Sequence, residues 1–324
     1  DRVFAWGRFD YDNLNNKFKK HKKKFILSGN PRVDYWRKDF DFFYKNKKFK
    51  YNNFILLSLN FRLLSKKKSK TYLRFLKKAG YLKRGLTISE LNKDRKDCFR
   101  MLKEYSKLII ALSKQTDLNI IVRPHPADEL ENYNFLNKHK NIKVINKGNI
   151  SEWIHRAKMV IHSGCAGGLE ASVRGLPTIS YRPFSSAPGA KFADRYSIKT
   201  QNLNECLNVV KKITKNNHKI QKINLKDFEF RAHNILNNKP GYKTIVDEFY
   251  KLMKKNRINH QNNDLVLKFK FQLRDIRSKL LKLEYGNIKF TFFDRNEAME
   301  TFNDLKKLNP KFKDLKLNLI KKDI

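Results

Sequence analysis

Short apolar runs open this chain and then organise it. VFAW at 3–6 and FILSG at 25–29 read as strands separated by a basic, helical stretch, and the second run breaks at Gly29-Asn30-Pro31-Arg32. Glycine takes positive φ freely and proline fixes the chain direction, so this is turn chemistry. The text from 38 to 53 is polar and aromatic without clear period, and reads as a linker with some helix. A strand–helix rhythm then sets in. NNFILLSLNF at 52–61 is a continuous apolar run, as expected of a buried strand. Over 93–115 the apolar positions Cys98, Met101, Leu102, Tyr105, Leu108, Ile109 and Leu112 recur at spacings of three and four, which predicts an amphipathic helix. Further strands follow at 118–126 (LNIIVRPHP), 142–146 (IKVIN), 159–164 (MVIHSG) and 177–183 (PTISYRP), with helices over 150–157 and 168–175. LNECLNVVKKI at 203–213 is helical, and 231–255 reads as two helices broken at Lys239-Pro240-Gly241. Residues 260–324 are Lys-rich and partly helical, and no internal repeat is visible.

Strands alternating with helices predict an α/β fold with a Rossmann-like parallel sheet covered on both faces. Right-handed crossovers place the strand C-termini and their loops along one edge, where ligands bind. Three regions are expected: 1–50 as the remnant of an N-terminal domain with its linker, 51–215 as the Rossmann-like domain, and 216–324 as a helical, Lys-rich extension. Asp1 stands directly before the strand-like VFAWG without an initiator Met, so a longer protein is expected, with its N-terminal Rossmann domain largely missing here.

Composition narrows the picture. A length of 324 residues allows two ordinary domains, and 40% hydrophobic residues can fill a core despite 32% charged ones. No run approaches the roughly 18–20 apolar residues that span a bilayer, and no signal peptide is legible. Cys98, Cys165 and Cys206 lie far apart without CxxC spacing, which excludes a disulfide framework and fits a reducing cytoplasm. No HExxH or paired ligand spacing appears, so neither a metal nor any other cofactor is expected.

The formal net charge of +41 makes phosphate polyanions candidate partners. That charge is spread as Lys-Asn-rich text (KFKKHKKK, KNKKFKYNN, LSKKKSK, VKKITKNNHK), which an AT-rich genome explains equally well. No nucleic-acid recognition motif is present, so specific nucleic-acid binding is not expected, and an anionic membrane surface suits the charge better. The expected location is the cytoplasm, with the inner face of the cytoplasmic membrane as a peripheral alternative.

The chemistry-bearing text falls at predicted strand C-termini. Arg123-Pro124-His125-Pro126 holds a guanidinium and an imidazole in a proline-stiffened loop, as phosphate donors or as a plain strand-ending turn. In Ser163-Gly164-Cys165-Ala166-Gly167-Gly168-Leu169-Glu170-Ala171, small residues open a helix and leave backbone amides bare for an anion. Glu170 is placed to accept from ribose hydroxyls. The competing reading is a helix packed tightly on the sheet through small residues, and His162 is as readily a satisfied core histidine. Gly175-Leu176-Pro177 ends that helix and leads into Tyr181-Arg182-Pro183, with Arg182 leaving the strand toward the ligand edge. Ser151 and Glu152 before Trp153 read first as a helix cap.

This succession of RPHP, a strand ending in Ser-Gly with a following G-x-E-A, then G-x-P and a strand, resembles the C-terminal domain of GT-B glycosyltransferases. FAWG followed by SGNPRVDYWR is similar to the inter-domain region of surface carbohydrate biosynthesis proteins, akin to bacterial Kdo transferases and sialyltransferase-like enzymes. The resemblance covers about residues 1–200. It implies a metal-independent glycosyltransferase that moves a sugar from a nucleotide-activated donor, CMP-Kdo among the candidates, to a glycan or lipid-linked acceptor. It makes 51–215 the nucleotide-sugar-binding domain. By position it implies donor contacts at His125, Pro126, Ser163, Gly164, Gly167 and Glu170, with Arg123, Gly168 and Arg182 beside them, and an inter-domain cleft at Asn30, Arg32 and Asp34. The catalytic base of such enzymes lies in the N-terminal domain and is not identified. UDP-N-acetylglucosamine 2-epimerases share the fold, but Cys165 and Ala166 interrupt their Ser-Gly-Gly…Glu signature. Teichoic-acid glycerophosphotransferases also carry His-Pro, with a different second signature. An epimerase and a non-catalytic basic carbohydrate- or membrane-binding module remain the alternatives.

Overall fold

The computed structural model describes residues 2–45, 49–61, 80–82, 85–126, 128–187, 189, 191–215, 226–235 and 239–256, and positions 299, 302, 303 and 306. The expected helical text over 260–324 lies almost wholly outside the described residues. Two compact units divide the chain, Asp1–Thr244 and Ile245–Ile324. The description below concerns the first. Among the described residues no helix is long and apolar enough to cross a membrane.

Val3–Ala5 (β1) and Phe25–Leu27 (β2) pair in parallel across helix α1 (Arg8–Lys17). A 3₁₀ turn over Lys19–Lys24 precedes β2, and the short helices α2 (Pro31–Asp34) and α3 (Phe42–Lys45) follow it. The expected α/β alternation then follows. β3 (Phe54–Ser58), α4 (Ile88–Gln115), β4 (Ile120–Arg123), β5 (Ile142–Val144), α5 (Ile150–Arg156), β6 (Ala157–His162), α6 (Ala166–Val173), β7 (Thr178–Tyr181), α7 (Lys191–Asp194), β8 (Ile198–Thr200) and α8 (Leu203–Thr214) follow in sequence. α9 (Lys226–Glu229) and α10 (Gly241–Asn256) come after them.

Six strands, β3 to β8, form one parallel sheet in the order β5-β4-β3-β6-β7-β8. The chain builds outward from β3 to β5, then crosses over and builds the other way from β6. The topological switch point therefore lies between β3 and β6, the place where open α/β sheets bind ligands.

The period of two along β3 explains its unbroken apolar text. Ile55 and Leu57 join the core under α4 and α8, while Phe54 and Leu56 face Trp153, Ile154 and Ala171 of α5 and α6. Each fully buried side chain of this size contributes about 1.5–3 kcal/mol.

Two boundaries differ from the periodicity. α4 starts five residues before 93 because Thr87 and Glu90 form a reciprocal capping box, with the Glu90 amide donating to Thr87 Oγ1 at 3.2 Å and the Thr87 amide to Glu90 Oε2 at 2.8 Å. The expected helix from 231 is turns over 230–231 and 233–235. There the backbone is committed elsewhere: the His233 amide donates to the Trp6 carbonyl at 2.9 Å, and the Asn234 side chain bonds to Asn30.

Candidate functional site

β3 and β6 end side by side, with Ser58 in register with His162 on one side and with Arg123 on the other. Two contacts bridge the switch point just beyond. The Asn60 amide donates to Ser163 Oγ at 3.0 Å, and Cys165 Sγ lies 3.1 Å from Ser58 Oγ. The Gly-rich helix α6 starts here. Its N-terminus, carrying the partial positive charge of a helix start, stands beside the switch point, with the Gly168 amide donating to the Cys165 carbonyl at 3.2 Å.

The glycines of this motif have packing reasons. Gly164 sits at φ +78, where a side chain is strained. A Cβ on Gly168 would lie 2.4 Å from the His162 ring, and one on Gly167 would lie 2.8 Å from Ser58 Oγ. The helix thus seats against β3 and β6 more closely than any other residue permits. His162 is a satisfied core residue: the Gly164 amide donates to Nδ1 at 3.0 Å, and Nε2 bonds Ser197 Oγ at 2.8 Å, which places the proton on Nε2. Burial outweighs the pull of Asp194, with Arg182 adding to it, and holds this imidazole neutral with a pKa of about 4.

Glu170, one turn into α6, is fully buried, and no donor meets its carboxylate at full hydrogen-bond geometry, although Ser151 and the Trp36 indole stand close enough to stabilise its charge. Its pKa is pushed up to about 7 by burial, against opposing effects from Ser151, Arg32, Arg174 and the Trp36 indole. The Trp36 Nε1 donor is itself buried and, apart from that carboxylate, has no partner. An unpartnered buried polar group costs about 1–3 kcal/mol and a charged one more, so this pocket is built at a loss to stability. Its walls come from far along the chain. Arg174 donates to Asp41 at 2.6 Å and contacts His155 Nδ1 at 2.6 Å, which fastens the end of α6 to the segment after α2. His155 in turn stacks on Tyr44 at 5.1 Å. Val33 and Trp36 pack beside Leu169, and Arg32, exposed at the start of α2, stands within electrostatic reach of Glu170.

The remaining expected residues divide. Half-buried His125 and exposed Pro126 stand on the loop after β4, and the His125 carbonyl accepts from the Asp128 amide at 2.8 Å. Arg123 differs from the expectation of a phosphate fork. Its guanidinium donates to the carbonyls of Lys147 and, at 2.8 Å, Gly148, and lies over Trp153. Burial lowers its pKa to about 10, and its role is to brace the loop after β5. Arg182 is committed in the same way, to Asp194 at 3.0 Å and to the Ala187 carbonyl at 2.8 Å, which shapes the loop after β7.

Asn30 and Asp34 also leave the expected cleft group. Asn30 caps α2 through the Arg32 amide, while buried Asp34 accepts from Asn234 Nδ2, from the Gly241 amide at 2.8 Å and from the Tyr242 amide at 2.9 Å. It caps the start of α10, and of the three only Arg32 acts electrostatically on Glu170.

Sequence reading missed Ser58, Asn60, Trp36, Tyr44 and Asp128. Ser58 and Asn60 carried a usable signal, since they end the strand next to the motif. Asp128 is buried with its pKa raised to about 6 by desolvation, opposed chiefly by the hydroxyl of buried Tyr133, which donates to it at 3.0 Å.

No protein-family model matches the chain, and no curated protein matches it. Among solved structures it is similar to UDP-GlcNAc 2-epimerase from Methanocaldococcus jannaschii in complex with UDP-GlcNAc and UDP (17% identity, 77% of this chain and 61% of that one, TM-score 0.43). It is similar also to the wall teichoic acid polymerase TagF (12%, 80% and 58%, TM-score 0.42) and to S. aureus MnaA with UDP (13%, 78% and 60%, TM-score 0.44). The chain spans about three-fifths of the length of these proteins.

Proposed function

We propose that this chain carries the donor-binding half of a glycosyltransferase that moves a sugar from a nucleotide-activated donor to a glycan or lipid-linked acceptor in surface polysaccharide biosynthesis. The observation that carries the reading is Glu170: a buried carboxylate that no donor meets at full hydrogen-bond geometry, one turn inside a Gly-rich helix that starts at the switch point of a parallel sheet. A nucleoside supplies what such a group lacks, hydroxyl donors, and its phosphate suits the amides at the helix start. In this reading Ser163, Gly164, Gly167 and Gly168 shape the phosphate subsite, His125 with Pro126 approaches it from the loop after β4, and Arg32 closes the mouth over Glu170.

The chemistry asked of these groups is electrostatic. Transfer breaks the bond between the anomeric carbon and the donor phosphate, and negative charge grows on the leaving phosphate. Fixed amides and an imidazole stabilise that charge more in the transition state than in the ground state. The acceptor hydroxyl must lose its proton to a base outside the residues assigned here. The exposed basic turn Lys19–Lys24, next to exposed Phe18, supports a peripheral contact with anionic lipid.

A thermal-shift panel with CMP, CDP, UMP, UDP, GDP and ADP tests the reading. A ligand at 100 times its dissociation constant adds about 2.7 kcal/mol. A response to CMP alone favours a Kdo-like donor, and a response to UDP favours a UDP-sugar transferase or epimerase. His125→Ala should then weaken nucleotide binding more than nucleoside binding. Silence across the panel would overturn the reading in favour of a non-catalytic module.

A further inference from the structure

We propose that His162 is the positioning residue of the phosphate subsite: its ring, locked in one tautomer, holds the Gly164 amide and so fixes the turn from β6 into α6. This rests on the nucleotide reading above and adds to it the residue that sets the shape of the subsite. Val160, two residues earlier on the same face of β6, packs in an apolar layer with Ile154 and Ala171. An apolar side chain at position 162 would extend that layer, whereas a fully buried imidazole needs both nitrogens met. Both are met, and in one order. Nε2 lies 2.8 Å from Ser197 Oγ, and that hydroxyl donates to the Ala193 carbonyl at 2.9 Å, so the ring supplies the hydrogen between them. Nδ1 is left as the acceptor, and it takes the Gly164 amide at 3.0 Å.

The ring has no freedom to leave this place. A Cβ at Gly168 would run into it, so α6 lies directly against it. Gly164 stands at φ +78, and glycine visits positive and negative φ about equally, so the residue alone does not choose this turn. The bond to Nδ1 does. Ser163, one residue earlier, is pinned from β3 by the Asn60 amide at 3.0 Å. The Gly164 amide is spent on the ring and is not offered to a ligand. What the ring sets is the direction of the next peptides, those of partly exposed Cys165 and exposed Ala166. Helix geometry leaves the amides at such a start without an intrahelical partner.

Isosteres separate the two nitrogens. In His162→Asn the side-chain oxygen stands near the place of Nδ1 and can accept from Gly164, whereas in His162→Gln the terminal amide stands near Nε2 and can serve only Ser197. Both variants of the whole chain are titrated calorimetrically with UDP, CMP, uridine and cytidine, beside urea unfolding. His162→Gln should lose about tenfold or more in affinity for the nucleotide that the wild type binds, the scale of one hydrogen bond to a charged group, and change little for the matching nucleoside. His162→Asn should recover most of that affinity, although both variants lose stability to a similar extent. Affinity losses alike in the two variants, or alike for nucleotide and nucleoside, would mark a purely structural histidine and overturn the inference while the nucleotide reading stands. Unchanged nucleotide affinity in His162→Gln would do the same. If the wild type binds none of the four probes, the nucleotide reading fails and this inference fails with it. Should both variants fold poorly, Ser197→Ala decides the matter: it releases the tautomer and should weaken nucleotide binding more than nucleoside binding, and equal effects or none would overturn the inference.

Discussion

Replacing Glu170 by glutamine keeps the size of the side chain and removes its charge, which isolates the cost of burying a carboxylate. In the folded chain its pKa stands at about 7 against an ordinary 4.5. At 1.36 kcal/mol per unit that difference corresponds to about 3 kcal/mol. The sign follows from proton binding: between the two values the folded state holds a proton that the unfolded state has released. Stability from this group is therefore fully present below about pH 4.5, is lost as pH rises toward 7, and stays lost above it. Glu170→Gln should lie within about 1 kcal/mol of the wild type near pH 5 and exceed it by up to about 3 kcal/mol at pH 8. For a folded unit of this size that is a rise in Tm of roughly 6–12 °C. The assay is calorimetry on both proteins from pH 5 to 8, since the difference between them cancels the other titrating groups, Asp34 and Asp128 included. At pH 8 the same variant should bind nucleotide at least about tenfold more weakly, as expected where a binding group is held against the fold's own stability. A variant less stable than wild type at pH 8, or an advantage that persists unchanged at pH 5, would refute the reasoning.

Three further outcomes follow from the packing. Gly168→Ala should destabilise by about 1–3 kcal/mol, because the clash with the His162 ring exceeds the gain of up to about 1 kcal/mol in helix propensity; a urea midpoint at or above wild type would contradict it. Asp34→Ala should cost about 3 kcal/mol or more by leaving the Asn234, Gly241 and Tyr242 donors buried and unmet, read as a lowered thermal midpoint, and Asp34→Asn should recover part of the loss. Arg182→Ala should lower stability by about 1–3 kcal/mol while the nucleotide affinity of the folded fraction changes little, and an affinity loss beyond tenfold at equal stability would return Arg182 to the binding surface.

The parallel sheet was legible because its signals are local. A short unbroken apolar run such as FILL in β3, too short for a helix, fits a strand covered on both sides, and the spacing from Cys98 to Leu112 fits one face of a helix. Gly175 marked the end of α6 by the same logic, and the structure places it at φ +77. Placing the motifs at strand C-termini needed only the handedness of crossovers. Where α4 begins was also written in the chain, in the Thr87–Glu90 pair, but a reading of apolar period alone passes over a cap. What residue types could not convey is which partner each side chain meets. Arg123, Arg182 and Asp34 have the chemistry of ligand contacts, yet each finds carbonyls, a carboxylate or amides of the chain itself within reach, and a charged group that can be satisfied internally is. Glu170 is the reverse case. Trp36 and Tyr44 from the segment after α2, Ser151 of α5 and Arg174 at the end of its own helix surround it, and only the folding of that segment against α6 leaves its carboxylate buried. Sequence distance hides such a pocket because burial and hydrogen-bond geometry are set by the whole packed unit, whereas propensity and period are set by a few neighbouring residues.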